Sequence, residues 1–381
     1  MLIEVVSTAA GCVVGTRAPH VRSRMEIEMR RVLLSAAVLI VLAVLTGGGV
    51  GAPKNATVVT YDNFSSGTNA NWSLPFGPGE TAINDVNHQE TFPSGTERVR
   101  AVPFKTGADF SVFDHIKYLE VSNASFPVPQ SGAVQFSADI KADTPGTIVP
   151  LTQTGIFGPS GTWPDPAVPP KLPDYSANVL QGQQAGVVLN MIDFCTGQLF
   201  DWFVAGNTAF TLIERLPTNV TGNTSNPNCP GATFVGRQLM YTQIAKEVPV
   251  AAGVSHHVAI RYTRTSSDYY VEYFLDGKRI TKVGNIGIPL DKQGVAYTGT
   301  YPSLGAGELL KSKISSFSIG HGLFSLLDAF PYQHPDSPEL SVSIPVGRSA
   351  DPDPADAGRA RLFGQGADGT FDNFVVTTNT D

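Results

Sequence analysis

The chain has 381 residues, of which 15% are charged, with 38 Gly, 28 Pro and a net charge of −7. So many turn formers and so few charges argue against salt-bridged helices and for an all-β chain. The acidic balance, with no basic tract after residue 52, excludes nucleic acid as a partner.

In chain order, residues 1–28 carry no fold pattern and read as a mis-annotated or disordered extension ahead of a start at Met29. Residues 29–52 read as a signal peptide: Arg30 and Arg31 form a positive n-region, Leu33 to Leu45 an apolar core, and Val50-Gly51-Ala52 a small-residue cleavage site. The alternative is an uncleaved anchor, which Pro53 after the cut would favour. The apolar run is short of the ~20 residues a span needs, so cleavage and a secreted protein are expected, with membrane contact only if the segment stays. Residues 53–381 then form a single domain, since β-sandwiches run long for one domain.

Near-identical tetrads bracket that region: Tyr61-Asp62-Asn63-Phe64 and Phe371-Asp372-Asn373-Phe374. They suit a sandwich whose first and last strands lie together. Val134 to Ile140 alternates as a half-buried strand does. Thr144 to Asp174 is dense in proline and reads as a long surface loop. Val187 to Phe194, Gln198 to Val204 and Thr208 to Leu216 form a meander split at Thr196-Gly197 and Gly206-Asn207. His256 to Thr263 and Tyr269 to Leu275 are further strands, the second ending in Asp276-Gly277, a type I′ hairpin signal. Leu309 to Asp328 is open between strand and short helix, Ser349 to Arg359 is a loop, and Phe371 to Thr377 closes the set.

The Tyr-Asp-Asn-Phe opening, the Tyr273-Phe274-Leu275-Asp276-Gly277 hairpin and the Gly-rich run into Phe371 resemble the concanavalin A-like lectin/glucanase superfamily. Four runs (113–118, 190–194, 212–217 and 361–366) resemble, within it, an uncharacterised family of secreted proteins known as a domain of unknown function. The resemblance covers about residues 58 to 378 and implies a jelly-roll β-sandwich with long loops and export. It implies no demonstrated activity and carries no catalytic residue.

Chemistry must be read from faces. A two-residue turn at Gly206-Asn207 sets Asp201 opposite Leu212 and Leu199 opposite Glu214. A three-residue loop at 196–198 would set Asp193 opposite Asp201, so Asp193, Asp201 and Glu214 would share a face. Crowded carboxylates raise each other's pKa, as glycoside hydrolysis requires. A two-residue turn would instead send Asp193 to the other face, and the acids would cap turns or pair with Arg215 or Arg237. Trp163, in the Pro-rich loop, is the candidate platform for a sugar ring, whereas Trp202 reads as core. Cys195 and Cys229, the cysteines left after export, are expected to form a disulfide closing a loop of about 35 residues, worth roughly 3–4 kcal/mol. No histidine has metal-ligand spacing, so no metal site or cofactor is expected. Asp351, Asp353 and Asp356 could hold a structural Ca²⁺, though the prolines between them favour a solvated loop. Gly364 to Gly369 matches G-x-G-x-x-G but leads into a strand and reads as a turn.

Three functions fit: a glycan-binding module, which the reading favours; a polysaccharide hydrolase or lyase using the carboxylates; and a structural cell-envelope protein.

Overall fold

The computed structural model describes residues 56–74, 84–105, 115–149, 151–156, 174–216, 239, 241–295, 306–327, 341–343 and 362–380. The signal segment, Trp163, Cys229 and the Asp351–Asp356 loop lie outside the described residues.

The strands are β1 (Ala56–Asp62), β2 (Trp72–Ser73), β3 (Gln89–Thr91), β4 (Glu97–Ala101), β5 (Ile116–Pro127), β6 (Gly132–Asp143), β7 (Leu151–Ile156), β8 (Asp174–Val179) and β9 (Gly186–Asp193). They continue with β10 (Gln198–Val204), β11 (Thr208–Arg215), β12 (Tyr241–Pro249), β13 (Ser255–Arg264), β14 (Tyr269–Leu275), β15 (Lys278–Gly284), β16 (Ser316–Phe324), β17 (Ser341–Ser343) and β18 (Ala367–Thr380). All pairings are antiparallel, and they make a jelly-roll β-sandwich. An eight-stranded sheet runs β15-β14-β13-β6-β18-β4-β3, with β1 also on β18. A seven-stranded sheet runs β12-β11-β10-β9-β16-β5-β2, and β17-β7-β8 forms a small third sheet. Strand β7 therefore interrupts the stretch expected to be all loop, and β16 resolves the ambiguous segment as strand. Among the described residues no helix is long and apolar enough to cross a membrane.

The local signals act as their chemistry dictates. Asp276 and Gly277 both take positive φ, 49° and 77°, so the β14–β15 turn is type I′ and Leu275 pairs Lys278. Gly206-Asn207 makes the two-residue turn that pairs Val204 with Ala209 and Leu199 with Glu214. The first turn of the meander is longer than expected. Phe194 to Gly197 intervene, Gly197 N–H donates to Asp193 C=O, and Gln198 pairs Asp193.

The first and last strands do lie together. β18 pairs β6 along its length; on its other edge its first half pairs β4 and its second half β1. Asp372 and Val375 flank a bulge against β6, with Asn373 at φ 52°. Strict alternation would put Phe371 and Phe374 on opposite faces. The bulge turns both inward, and both are fully buried.

The main core fills the space between the large sheets. Trp202 spans it: its indole N–H donates to Ala259 C=O of β13 at 3.0 Å. We predict that Trp202→Ala destabilises the fold by about 3–5 kcal/mol, by lost burial and an unfilled cavity. Urea denaturation measures it; a loss under about 1 kcal/mol would mean that the sheets repack without it.

Candidate functional site

Three places carry chemistry. The first is the face of the seven-stranded sheet that points away from the main core. Trp202 faces the core, so Asp201 and its neighbour Phe203 face outward. The register puts Asp201 beside Asn190 of β9 and Glu214 beside Leu199 of β10 and Thr242 of β12. Asp201 accepts from Asn190 Nδ2 at 2.7 Å and Glu214 from Thr242 Oγ1 at 3.0 Å. Asp201 and Glu214 share a face as expected, but Asp193 does not join them. Each residue added to a turn flips the face, and the four-residue turn sends Asp193 to the core side. There it caps the turn, accepting from Cys195 N–H at 3.0 Å and Thr196 Oγ1 at 2.6 Å.

This face is not an open groove. Phe203, Phe210, Leu212, Val188, Ile192 and Ile244 belong to a second apolar cluster on it, and Phe203 stacks on Phe210 at 4.7 Å. Asp201 and Glu214 are 1% and 5% exposed. Burial pushes Asp201 up to about 7. Burial, and then the Asp201 charge, hold Glu214 well above the usual carboxylate range.

A carboxyl raised in the folded state keeps a proton that the unfolded chain releases, so stability falls as pH climbs from about 4 toward 7. We predict that Asp201→Asn, which keeps an acceptor for Asn190, removes part of that loss. The variant should gain on the order of 2–4 kcal/mol over the wild type at pH 8 and little at pH 4. Thermal unfolding across pH checks this; equal pH profiles would show that Asp201 is ionised at no cost.

The second place is a groove at one end of the sandwich, where the β5–β6 turn, the β13–β14 turn and the segment before β16 meet. Arg264 of β13 organises it by donating to the carbonyls of Val128, Pro129, Lys311 and Ile314 at 2.7–3.2 Å. A guanidinium's fork suits that role because one planar group serves several carbonyls. Gln130, Thr265, Ser266, Lys311, Ser312 and Ser315 supply polar walls around a cavity of about 440 Å³. Among the described residues, none that lines the groove carries a carboxylate.

The third place lies between the sheets. Glu97 of β4, Glu120 of β5 and His321 of β16 are at most 2% exposed. His321 Nε2 lies 2.5 Å from Glu97 Oε2 and 3.6 Å from Glu120 Oε2. Asn69 Nδ2 donates to Glu120 at 2.7 Å and to Glu90 of β3 at 2.9 Å, and the Tyr118 hydroxyl donates to Glu90 at 2.9 Å. Both tetrads wall the cluster: Phe371 and Phe374 stand 4.7 and 4.9 Å from the imidazole, and Phe64 6.2 Å. Trp72, at 4.3 Å, is fixed by its indole N–H on Asp62. Burial pushes Glu120 up to about 7. Burial pulls His321 down, but Glu97 and Glu120 beside it outweigh that and hold it above the usual range. Among the described residues, Glu97 Oε1, Glu120 Oε2 and His321 Nδ1 have no hydrogen-bond partner.

No spacing rule points to these residues, since they come from three strands far apart in sequence. A signal exists nonetheless. His321 interrupts the apolar stripe Phe317, Ile319, Leu323, and Glu97 starts the stripe Val99, Ala101. A charge in an inward register position must find a partner across the core.

A family model described as "Family of unknown function (DUF6081)" matches residues 174–380. No curated protein matches the chain. Among solved structures, endo-1,3-β-glucanase from Streptomyces sioyaensis is similar at 10% identity and TM-score 0.38, over 88% of this chain and 100% of that one. β-Agarase B from Zobellia galactanivorans is similar at 9% and 0.39, over 87% and 96%. Carbohydrate-binding module CBM66 from Bacillus subtilis is similar at 10% and 0.24, over 67% and 92%. All three are distant in sequence; the jelly-roll assignment rests on this chain's own strand pairing.

Proposed function

We propose, for a chain that belongs to the DUF6081 family of unknown function, that it binds carbohydrate without cleaving it. The observation that carries this reading is the groove. Its amide, hydroxyl and ammonium groups can donate to and accept from a polyhydroxylated ligand. Its volume lies within the ~300–1,000 Å³ usual for small-molecule sites. Among the described residues its lining lacks the carboxylate pair that glycoside hydrolysis needs. Asp201 and Glu214, which a hydrolase or lyase would use, are buried on another part of the molecule. A general acid must come within hydrogen-bond reach of the bond it protonates, and a covered carboxyl does not.

Ser312 is exposed at the groove. Ser312→Trp should fill it and weaken retention on the best glycan of an array at least about tenfold, with the fold intact by circular dichroism. Asp201→Asn should bind as the wild type does, and neither protein should release reducing ends. Reducing ends released by the wild type and lost in Asp201→Asn would establish the hydrolase instead. Unsaturated ends at 235 nm, in the same pattern, would establish the lyase.

We propose further that the protein is exported, with residues 1–52 removed, and that Cys195 bridges Cys229 in an oxidising compartment. N-terminal sequencing of the protein from culture medium should begin near residue 53. Mass spectrometry of the denatured, unreduced chain should show no free thiol; recovery of Met1 or Met29, or two alkylated cysteines, would overturn the respective claim.

A further inference from the structure

We propose that Glu97, Glu120 and His321 form a buried site for one divalent transition-metal ion of the Mn²⁺ or Zn²⁺ kind, with Glu90 at its solvent side.

Three observations carry this. The first is convergence. One ligand atom from each of Glu97, Glu120 and His321 lies within 4.8 Å of the others, and the residues come from both sheets. Ligand atoms around one ion at ~2.0–2.2 Å must be that close.

The second is the pattern of unserved atoms. Glu97 Oε1 and Glu120 Oε2 are buried acceptors without a donor among the described residues. Their carboxylates draw on Asn69 and His321, and Glu90 on Asn69 and Tyr118; none of these donors is Lys or Arg. One imidazole cannot serve all the free lone pairs, and buried acceptors left unserved cost free energy. A cation placed among the three residues would take one lone pair from each.

The third is charge in an apolar setting. The imidazole of His321 sits against Trp72, Phe64, Phe371 and Phe374, with the buried Glu97 and Glu120 beside it and the half-buried Glu90 linked to Glu120 through Asn69. Buried like charges persist only when paired or coordinated to a metal. Even with His321 protonated, the four groups leave an excess of negative charge if the acids are ionised. A divalent ion that displaces the imidazole proton balances it more closely.

The donor set selects the ion. Carboxylate oxygen with one imidazole nitrogen suits Mn²⁺, Zn²⁺ and their neighbours, whereas Ca²⁺ and Mg²⁺ prefer oxygen alone. The route in lies past Asn69 and Glu90, which are part-exposed while the three ligands are not. Asn69, bonded to both Glu90 and Glu120, orients the carboxylates from outside.

The test uses the purified mature chain, stripped with EDTA. Titration with Mn²⁺ or Zn²⁺ should show one site per chain and raise the unfolding midpoint by at least about 3 °C at saturation. Ca²⁺ and Mg²⁺ should do neither. Glu120→Gln keeps an acceptor for Asn69 but loses the charge, and it should weaken Mn²⁺ binding at least about tenfold. Because a core variant can misfold, the wild type supplies a second readout: pulsed electron paramagnetic resonance of bound Mn²⁺ should show coupling to one imidazole nitrogen. Absence of stoichiometric binding, absence of nitrogen coupling, or equal affinity in folded Glu120→Gln would overturn the site. Preference for Ca²⁺ would overturn the choice of ion.

Discussion

The structure depends on how β18 is hydrogen-bonded. A strand of 14 residues is paired along its length with β6 and shares its other edge between β4 and β1. This joins the beginning and end of the domain in one ladder. A regular strand would have carried Phe371 and Phe374 to opposite faces. Asn373 absorbs the extra residue in the left-handed region, which Asn tolerates better than most side chains. Both rings then meet His321, and Phe64 of the first tetrad meets Phe374 edge-on at 5.8 Å. The repeated Asp-Asn-Phe is therefore a packing device. Asp62 fixes Trp72 and the Phe64 N–H, the phenylalanines supply the walls, and the polar cluster is enclosed as a consequence.

A second constraint follows from β9, β10 and β11 of the seven-stranded sheet being covered on both faces. β9 is buried at every residue, and β10 and β11 nearly so. A sheet with one wet face alternates apolar and polar residues; a sheet with none reads as a continuous apolar run. Val187 to Ile192, Phe200 to Val204 and Ala209 to Ile213 approach the second kind, so Asn190, Asp201 and Glu214, set in or beside them, are buried. Buried carboxyls accompanied by Asn190 and Thr242 place polarity at defined points in an apolar layer, and a register slip would strand them.

What could be read in the sequence divides along the same line. Local chemistry was legible. Asp276-Gly277 and Gly206-Asn207 gave turns whose type or length determines register, and the predicted strands flanking them fall within a residue or so of those observed. Registers that hang on one ambiguous turn were not legible. Thr196-Gly197 looks like a short hairpin, yet the side chain of Asp193 captures Cys195 N–H and Thr196 Oγ1 and holds a four-residue turn. That reverses every side chain of β9 relative to β10, which the layer accepts because β9 is buried on both faces. The proline-rich stretch hid β7, because proline density says where a central strand cannot be and is silent about a short strand between prolines.

Least legible was the cluster between the sheets. Glu120 and His321 are cross-strand partners on β5 and β16, and Glu97 reaches them from β4 of the other sheet; neither a distant strand pair nor packing across a sandwich leaves a fixed spacing in a sequence. Each residue stands where alternation predicts an apolar side chain. A lone breach of alternation is weak, because a histidine or glutamate in a stripe can reach solvent at a strand end. Three breaches on strands that pack against one another are stronger, since buried charges must answer each other or a bound ion. The face with the conspicuous acids, Asp201 and Glu214, is sealed by Phe203, Phe210 and Leu212. The inconspicuous acids, wrapped by residues of both tetrads, are the ones left with unserved lone pairs. In a sandwich, unmet bonding capacity therefore marks a candidate site better than the density of acids along a strand does.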